Sequence, residues 1–181
     1  SSYFDNFETI SGNTGEDTFY FAGDPGNNIT LQGGAGNDSF DFNFSFTSKI
    51  TAEGGSNDDK FTITNSQYTG TLELDGGSNN DTIVGSSNAD HFGWNSANYS
   101  GSGIATNSAI LTGKGTAALI SSTAKSYFSN IETITANQGA DTFYFGGDPV
   151  NNLTLQGNAG NDEYHFNFNL NKNITAVGGA D

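Results

Sequence analysis

The sequence has no cysteine, no methionine and no arginine, and only two of its 181 residues are proline. Without cysteine the chain can form neither disulfide bonds nor a thiolate metal site, and the lack of both sulfur residues suits an oxidising exterior. Five lysines stand against 20 acidic residues, which gives a net charge of −15. So acidic a chain is a poor partner for nucleic acid and anionic membranes but suits cations. No apolar run reaches the length of a membrane span.

Glycine, by contrast, is abundant and recurs in a fixed pattern. Residues Gly33 to Asp41 read as a glycine-rich turn closed by Asp38, followed by a strand in which Phe40 and Phe42 alternate with polar residues. Six versions of this turn end in aspartates that are 21 or 22 residues apart, with one break: Asp17, Asp38, Asp59 and Asp81, then Asp141 and Asp162. A period of this length indicates a repeat architecture.

A longer repeat lies over the short one. Ser2 to Asn57 aligns without gaps on Ser126 to Asp181, an offset of 124 residues, with 35 identities in 56 positions. We therefore expect a first module at 1–125, irregular and wider near 93–125, and the start of a second at 126–181 that continues the same solenoid. Because the chain begins without Met and stops within a motif, we expect coaxial continuation by the same polypeptide or self-association into a fibre.

The short repeat predicts an all-β fold, a parallel β-solenoid with coils of about 21 residues and a 124-residue super-repeat. Each coil has one strand before the glycine turn and one after it, and a single unit cannot bury its own apolar face, whereas stacked units can. The pattern predicts two interior columns: Phe19, Phe40 and Phe61 in one, and Ile10, Leu31, Ala52 and Leu74 in the other.

Stacked coils also stack their aspartates, and this has an electrostatic consequence. Two carboxylates about 5 Å apart repel each other by roughly 3 kcal/mol at an effective dielectric constant of 20. Calcium would relieve the repulsion, because it takes six to eight oxygen ligands and accepts backbone carbonyls, which suit magnesium poorly. The alternative is that each aspartate only caps its own turn. The Gly-Asp-Pro turns at Asp24 and Asp148 could hold a further ion, but a simple β-turn is the preferred interpretation.

The segment Gly33 to Asp41 resembles the nonapeptide G-G-x-G-x-D-x-U-x of the RTX (repeats-in-toxin) calcium-binding family at every fixed position. The resemblance implies Ca²⁺ ions between adjacent turns, held by aspartate carboxylates and by carbonyls near the glycines. The residues implied as metal ligands are Asp17, Gly33, Gly36, Asp38, Gly54, Asp59, Gly76, Asp81, Asp90, Asp141, Gly157, Gly160 and Asp162.

The chain departs from the family pattern in one respect. Tandem nonapeptides place a calcium turn at both ends of each coil, whereas here the second end is long and variable. We therefore expect calcium along one side of the solenoid only. Asp90 is the exception, because it follows Asp81 by nine residues and should fall on the opposite side.

The resemblance implies a structural role rather than an enzymatic one, and no catalytic motif is recognisable in the sequence. We expect a segment of a long secreted bacterial repeat protein, extracellular or at the cell surface, that forms a calcium-stabilised rod in an adhesin stalk or extracellular filament. One alternative is the RTX secretion and folding module of a secreted enzyme, which the long super-repeat disfavours. Another is an ice-binding solenoid, which the irregular turn residues Thr14, Ala35 and Ser56 disfavour.

Overall fold

The computed structural model describes residues 7–64, 70–88, 90–94, 110–113, 125–145, 149, 151–166, 169 and 171–180. Within these ranges the chain forms sixteen β-strands and no helix. The strands are β1 (Thr9–Thr14), β2 (Thr18–Tyr20), β3 (Ile29–Ala35), β4 (Ser39–Phe42), β5 (Lys49–Ser56), β6 (Lys60–Ile63), β7 (Thr71–Ser78), β8 (Thr82–Val84), β9 (His91–Trp94), β10 (Ile110–Gly113), β11 (Lys125–Ser129), β12 (Thr133–Thr135), β13 (Thr142–Phe145), β14 (Leu153–Gln156), β15 (Glu163–Phe166) and β16 (Ile174–Val177).

The strands form two parallel sheets that face each other across the core. The nine-stranded sheet has the order β1-β3-β5-β7-β11-β10-β9-β13-β15, and the seven-stranded sheet has the order β16-β14-β12-β8-β6-β4-β2. In the first half of the chain, neighbouring strands come from consecutive coils, so that Thr30 pairs with Thr51 and Ser39 with Lys60. This register confirms the predicted parallel β-solenoid with coils of about 21 residues.

Both predicted interior columns are present. The ring of Phe40 stacks on Phe19 at a centroid distance of 4.8 Å and on Phe61 at 4.9 Å, with nearly parallel planes. Ile10, Leu31, Ala52 and Leu74 follow one another in register across β1, β3, β5 and β7. The columns form because side chains of period two point alternately inward, and parallel in-register pairing repeats each inward position in the next coil.

The second copy of the long repeat is displaced by half a coil relative to the first. Ile10 and Ile134 are equivalent in sequence, yet β1 belongs to the nine-stranded sheet and β12 to the seven-stranded sheet, where it pairs with β8. The nine-residue step from Asp81 to Asp90 explains the shift, since it contains only one strand, β8, where a full coil contains two.

Most of the region 93–125, expected to form wider coils, lies outside the described residues. Its described parts are the end of β9, the whole of β10 and the first residue of β11, all in parallel strands of the nine-stranded sheet. Over the described ranges there is no helix with the length and apolarity needed to cross a membrane.

Candidate calcium site

Each glycine turn folds the side chain of its closing aspartate back towards its first glycine. The Oδ2 atom of Asp38 lies against Gly33 so closely that a Cβ on this glycine would overlap it, and the same Cβ would stand 2.6 Å from the carbonyl oxygen of Gly54 in the next coil. The absence of a side chain at Gly33 therefore leaves two oxygens, one from each coil, facing a common space. Gly54 with Asp59 and Gly76 repeats the arrangement.

The other carboxylate oxygen of each aspartate links successive coils. The amide N–H of Asp17 donates to Oδ1 of Asp38, that of Asp38 to Oδ1 of Asp59, and that of Asp59 to Oδ1 of Asp81, each at 2.8 Å. We call these four turns the first ladder. In all of them the chain passes from the nine-stranded to the seven-stranded sheet, so they share one edge of the solenoid.

Three further aspartates form a second ladder on the opposite edge, where the chain passes from the seven-stranded to the nine-stranded sheet. The amide of Asp90 donates to Oδ1 of Asp141 at 2.6 Å, and the amide of Asp141 donates to Oδ1 of Asp162 at 3.1 Å. The expectation that Asp90 lies opposite the main column is confirmed. The expectation of a single turn-bearing side is wrong, because the half-coil shift carries Asp141 and Asp162 to the edge of Asp90.

The Oδ2 oxygens of the ladders most clearly mark a position suited to a cation. Among the described residues, the buried carboxylate oxygens without a hydrogen-bond donor include Oδ2 of Asp17, Asp38, Asp59, Asp81, Asp141 and Asp162. A buried carboxylate oxygen without a partner is strongly unfavourable, and a facing carbonyl oxygen adds to the penalty. A cation between the two oxygens would remove it, so the residues present fit a bound Ca²⁺ ion.

The donor set also fits the type of cation. Within the described part of the chain, no three His, Cys, Asp or Glu side chains come together as a metal-binding group. Each ion would therefore take one or two carboxylates and complete its shell with backbone carbonyls. Calcium accepts such a set because its coordination is flexible and oxygen-based.

The electrostatics of the ladders agree with this interpretation. Burial, together with the charge of Asp38, raises the pKa of Asp59 to about 6. Burial also raises the pKa of Asp81 to about 7, with repulsion from Asp59 and Glu132 as further causes. Asp141, fully buried beside Asp90, likewise has its pKa raised to about 7, mainly by burial. The ladders thus hold negative charge that the fold does not neutralise.

Asp90 differs from the other ladder aspartates. Its Oδ2 accepts the amide N–H of Ser86 and its Oδ1 accepts the hydroxyl of Ser86, both at 2.7 Å. The carboxylate of Asp90 therefore caps its own turn, which is the alternative that the sequence left open.

The other glycines that were predicted to bind the metal occupy two different positions in the turn. Gly76 and Gly157 lie against Oδ2 of Asp81 and Asp162, as Gly33 does against Asp38. Gly36 and Gly160 instead have φ angles of 137° and 131°, and a Cβ on either would overlap the carbonyl of a glycine in the preceding turn. These two glycines permit the close stacking of turns.

The carboxylate of Asp24 stabilises its own loop and links it to the next coil, while the preferred β-turn stays a prediction. This carboxylate accepts the amide of Gly26 at 3.0 Å, and the amide and hydroxyl of Thr47 in the next coil at 3.0 and 2.9 Å. Burial opposes ionisation, but hydrogen bonds from Gly26, Thr47 and Ser48 hold the pKa of Asp24 below its usual value. Asp148, its equivalent, lies outside the described residues.

Sequence reasoning missed Glu132, which follows Asp81 in the first ladder. Its Oε2 accepts the amide N–H of Asp81 at 2.9 Å, the bond that an aspartate makes elsewhere. The signal was present in the sequence, because the run Glu-Thr-Ile occurs at Glu8 and again at Glu132.

A parallel β-solenoid whose glycine turns present unneutralised carboxylates and carbonyls is a calcium-binding repeat protein. The family model of the RTX calcium-binding nonapeptide repeat matches four copies, at residues 20–43, 73–92 and 132–148. These matches, together with the parallel sheets, support an RTX-type calcium-binding solenoid. Comparison with curated proteins and with solved structures gave no match. RTX repeats are typical of secreted proteins, which indicates an extracellular location, and the motif itself is structural.

Proposed function

We propose that this chain is a segment of a long secreted bacterial repeat protein, and that its calcium-stabilised coils form a rod that serves as a surface adhesin stalk or an extracellular filament. The observation that carries the proposal is the 124-residue super-repeat, since the described parts of both copies are built of stacked coils. Stacked repeats contact only their neighbours, so adding copies lengthens the solenoid along one axis.

In this proposal the calcium ions are held by the ladder turns. The aspartates with an unpartnered Oδ2 supply the carboxylate, and the first glycine of the next turn supplies a carbonyl, as Gly54 does opposite Asp38. The complete proposed set is Asp17, Gly33, Gly36, Asp38, Gly54, Asp59, Gly76, Asp81, Asp90, Asp141, Gly157, Gly160 and Asp162. Within it Asp90 is the weakest member, since Ser86 already binds both of its oxygens.

Small-angle X-ray scattering of this chain, in calcium and after chelation with EDTA, tests the proposed rod. In calcium we expect a stiff particle whose long axis grows by about 4.8 Å per stacked strand. With EDTA the glycine turns should lose order and the chain should expand. Two copies of the chain joined in tandem should double the length in calcium at constant cross-section. A compact two-copy particle, or identical scattering with EDTA, would refute the rod.

A further inference from the structure

The first ladder ends at a turn unlike the others. β11 pairs with β7 so that Ser129 stands opposite Asp75, which aligns Asn130 with Gly76 and Thr133 with Thr82. Between these aligned points the glycine turn, Gly76 to Asp81, has six residues, whereas the turn from Asn130 to Glu132 has three. The turn is therefore three residues shorter and lacks the glycine loop.

Glu132 repeats one function of a ladder aspartate and omits the other. Its Oε2 accepts the amide of Asp81, a fully buried residue whose N–H would otherwise have no acceptor in the next coil. Its Oε1, however, accepts the Nδ2 group of Asn151 at 2.6 Å. Each aspartate of the first ladder keeps one oxygen without a donor, facing the ion space, while Glu132 has both oxygens engaged.

Asp81 nevertheless keeps the features of an ion site. Its Oδ2 is buried without a partner, and a Cβ on Gly76 would overlap the carbonyl oxygen of Asn130 as well as meeting Asp81. Asn130 has a positive φ of 52°, and its Nδ2 group donates to Asp75 at 2.7 Å, which fixes the short turn. The last site thus takes one carbonyl oxygen, that of Asn130, from the short turn.

We propose that Glu132 is the terminator of the first cation ladder, a positioning residue that makes Asp81 the last calcium site on its edge. Ladder length is then set by the short Glu turn and not by the number of coils, which continue past it. The same run at Glu8 opens the first copy, and the carbonyls of Glu8 and Glu132 accept equivalent hydrogen bonds from Thr30 and Thr154, both at 2.8 Å. This inference rests on calcium binding by the ladders.

Replacing Asn130, Ile131 and Glu132 by a copy of residues 76–81 restores a full glycine turn and tests the proposal directly. Isothermal titration calorimetry of the full chain should then show one more calcium ion per chain than the unaltered protein. Circular dichroism reports whether the variant gains β structure with calcium. A variant that folds with unchanged calcium stoichiometry overturns the proposal.

Single substitutions, which keep the length of the turn, test the proposal even if the variant with the longer turn does not fold. Glu132→Gln keeps an acceptor oxygen for the amide of Asp81, so the calcium stoichiometry should match that of the unaltered chain. Glu132→Ala removes the acceptor, and we expect the loss of one ion and faster hydrogen exchange at the Asp81 amide. Glu53→Ala is the matched control, since this carboxylate accepts a hydrogen bond from the side chain of Gln32 and is not among the proposed calcium ligands.

If Glu132→Ala retains every ion and the protected Asp81 amide, Glu132 does not position the last site. If no variant and not even the unaltered chain binds calcium, the failure is that of the proposed calcium ladders and not of the terminator alone.

Discussion

Replacing Gly54 with alanine fills the proposed ion space without straining the backbone of the turn. Gly54 is not among the residues with a positive φ, so alanine causes no backbone strain there. Its Cβ would, however, overlap Oδ2 of Asp59 and stand 2.6 Å from the carbonyl oxygen of Gly76, where 3.4 Å is the shortest ordinary contact. The substitution therefore pushes apart the two oxygens proposed to share a calcium ion.

The expected magnitude has two parts. Overpacking against a paired backbone costs about 1–3 kcal/mol whether or not calcium is present. When the free calcium concentration is 100 times the dissociation constant, the loss of one bound ion lowers the free energy of unfolding by about 2.7 kcal/mol more. This second part occurs only in calcium. We therefore expect a loss of about 4–6 kcal/mol in saturating calcium, with a calcium midpoint of folding raised at least tenfold.

Urea unfolding and calcium titration followed by circular dichroism give both quantities. Gly23→Ala is the first control, since nothing lies within 4 Å of a Cβ there, and its effect should stay within about 0.5 kcal/mol. Gly15→Ala is the second, because its φ of 111° imposes strain of about 1–3 kcal/mol without a contact. If Gly54→Ala shifts the calcium midpoint no more than Gly15→Ala does, the assignment of this space to calcium is refuted.

Three other perturbations separate the contributions to stability. The folded pKa values of Asp59 and Asp81, about 6 and 7, exceed the unfolded value of 3.8, so protonation favours the calcium-free fold. In EDTA, stability should rise as the pH falls from about 7 towards 4, and urea midpoints that are lower at pH 5 than at pH 8 would contradict this. Phe40→Ala should cost about 3–5 kcal/mol in urea unfolding and leave the calorimetric calcium stoichiometry unchanged, because its ring stacks in the interior column and supplies no ligand oxygen; loss of an ion would count against that separation. Asp24→Ala should cost about 1–3 kcal/mol with unchanged stoichiometry, whereas an ion lost with Asp24 would make its loop a metal site.

The fold could be predicted from the sequence because the solenoid repeats both of its physical requirements in every coil. An inward ring at Phe40 and a close-approach glycine at Gly36 are each readable as residue types at fixed spacing. Stacking then follows from the need to bury the apolar face and pair the strand edges. The two interior columns of the first four coils could therefore be identified without coordinates.

The arrangement of the second copy was not predictable in the same way. Its sequence repeats the first closely, so nothing within Asp141 or Asp162 indicates which edge it occupies. The edge depends on how much chain precedes it, and the nine-residue step to Asp90 is the local sign of the shift. Glu132 escaped notice for a related reason, since its role depends on the amide of Asp81, 51 residues earlier.

The two carboxylate oxygens of Asp38 have different roles, and this division favours calcium over lysine as the neutralising charge. In Asp38 one oxygen binds the amide of Asp17 and aligns the coils, while the other is left buried and without a donor. A lysine could neutralise such a carboxylate permanently, but this chain has only five lysines and no arginine. Calcium neutralises it only where the ion is abundant, at roughly 10⁻⁴–10⁻³ M for extracellular modules. We therefore expect the aspartates that align the coils also to make the order of the coils depend on calcium, with rigid coils where calcium is plentiful and disordered turns where it is scarce.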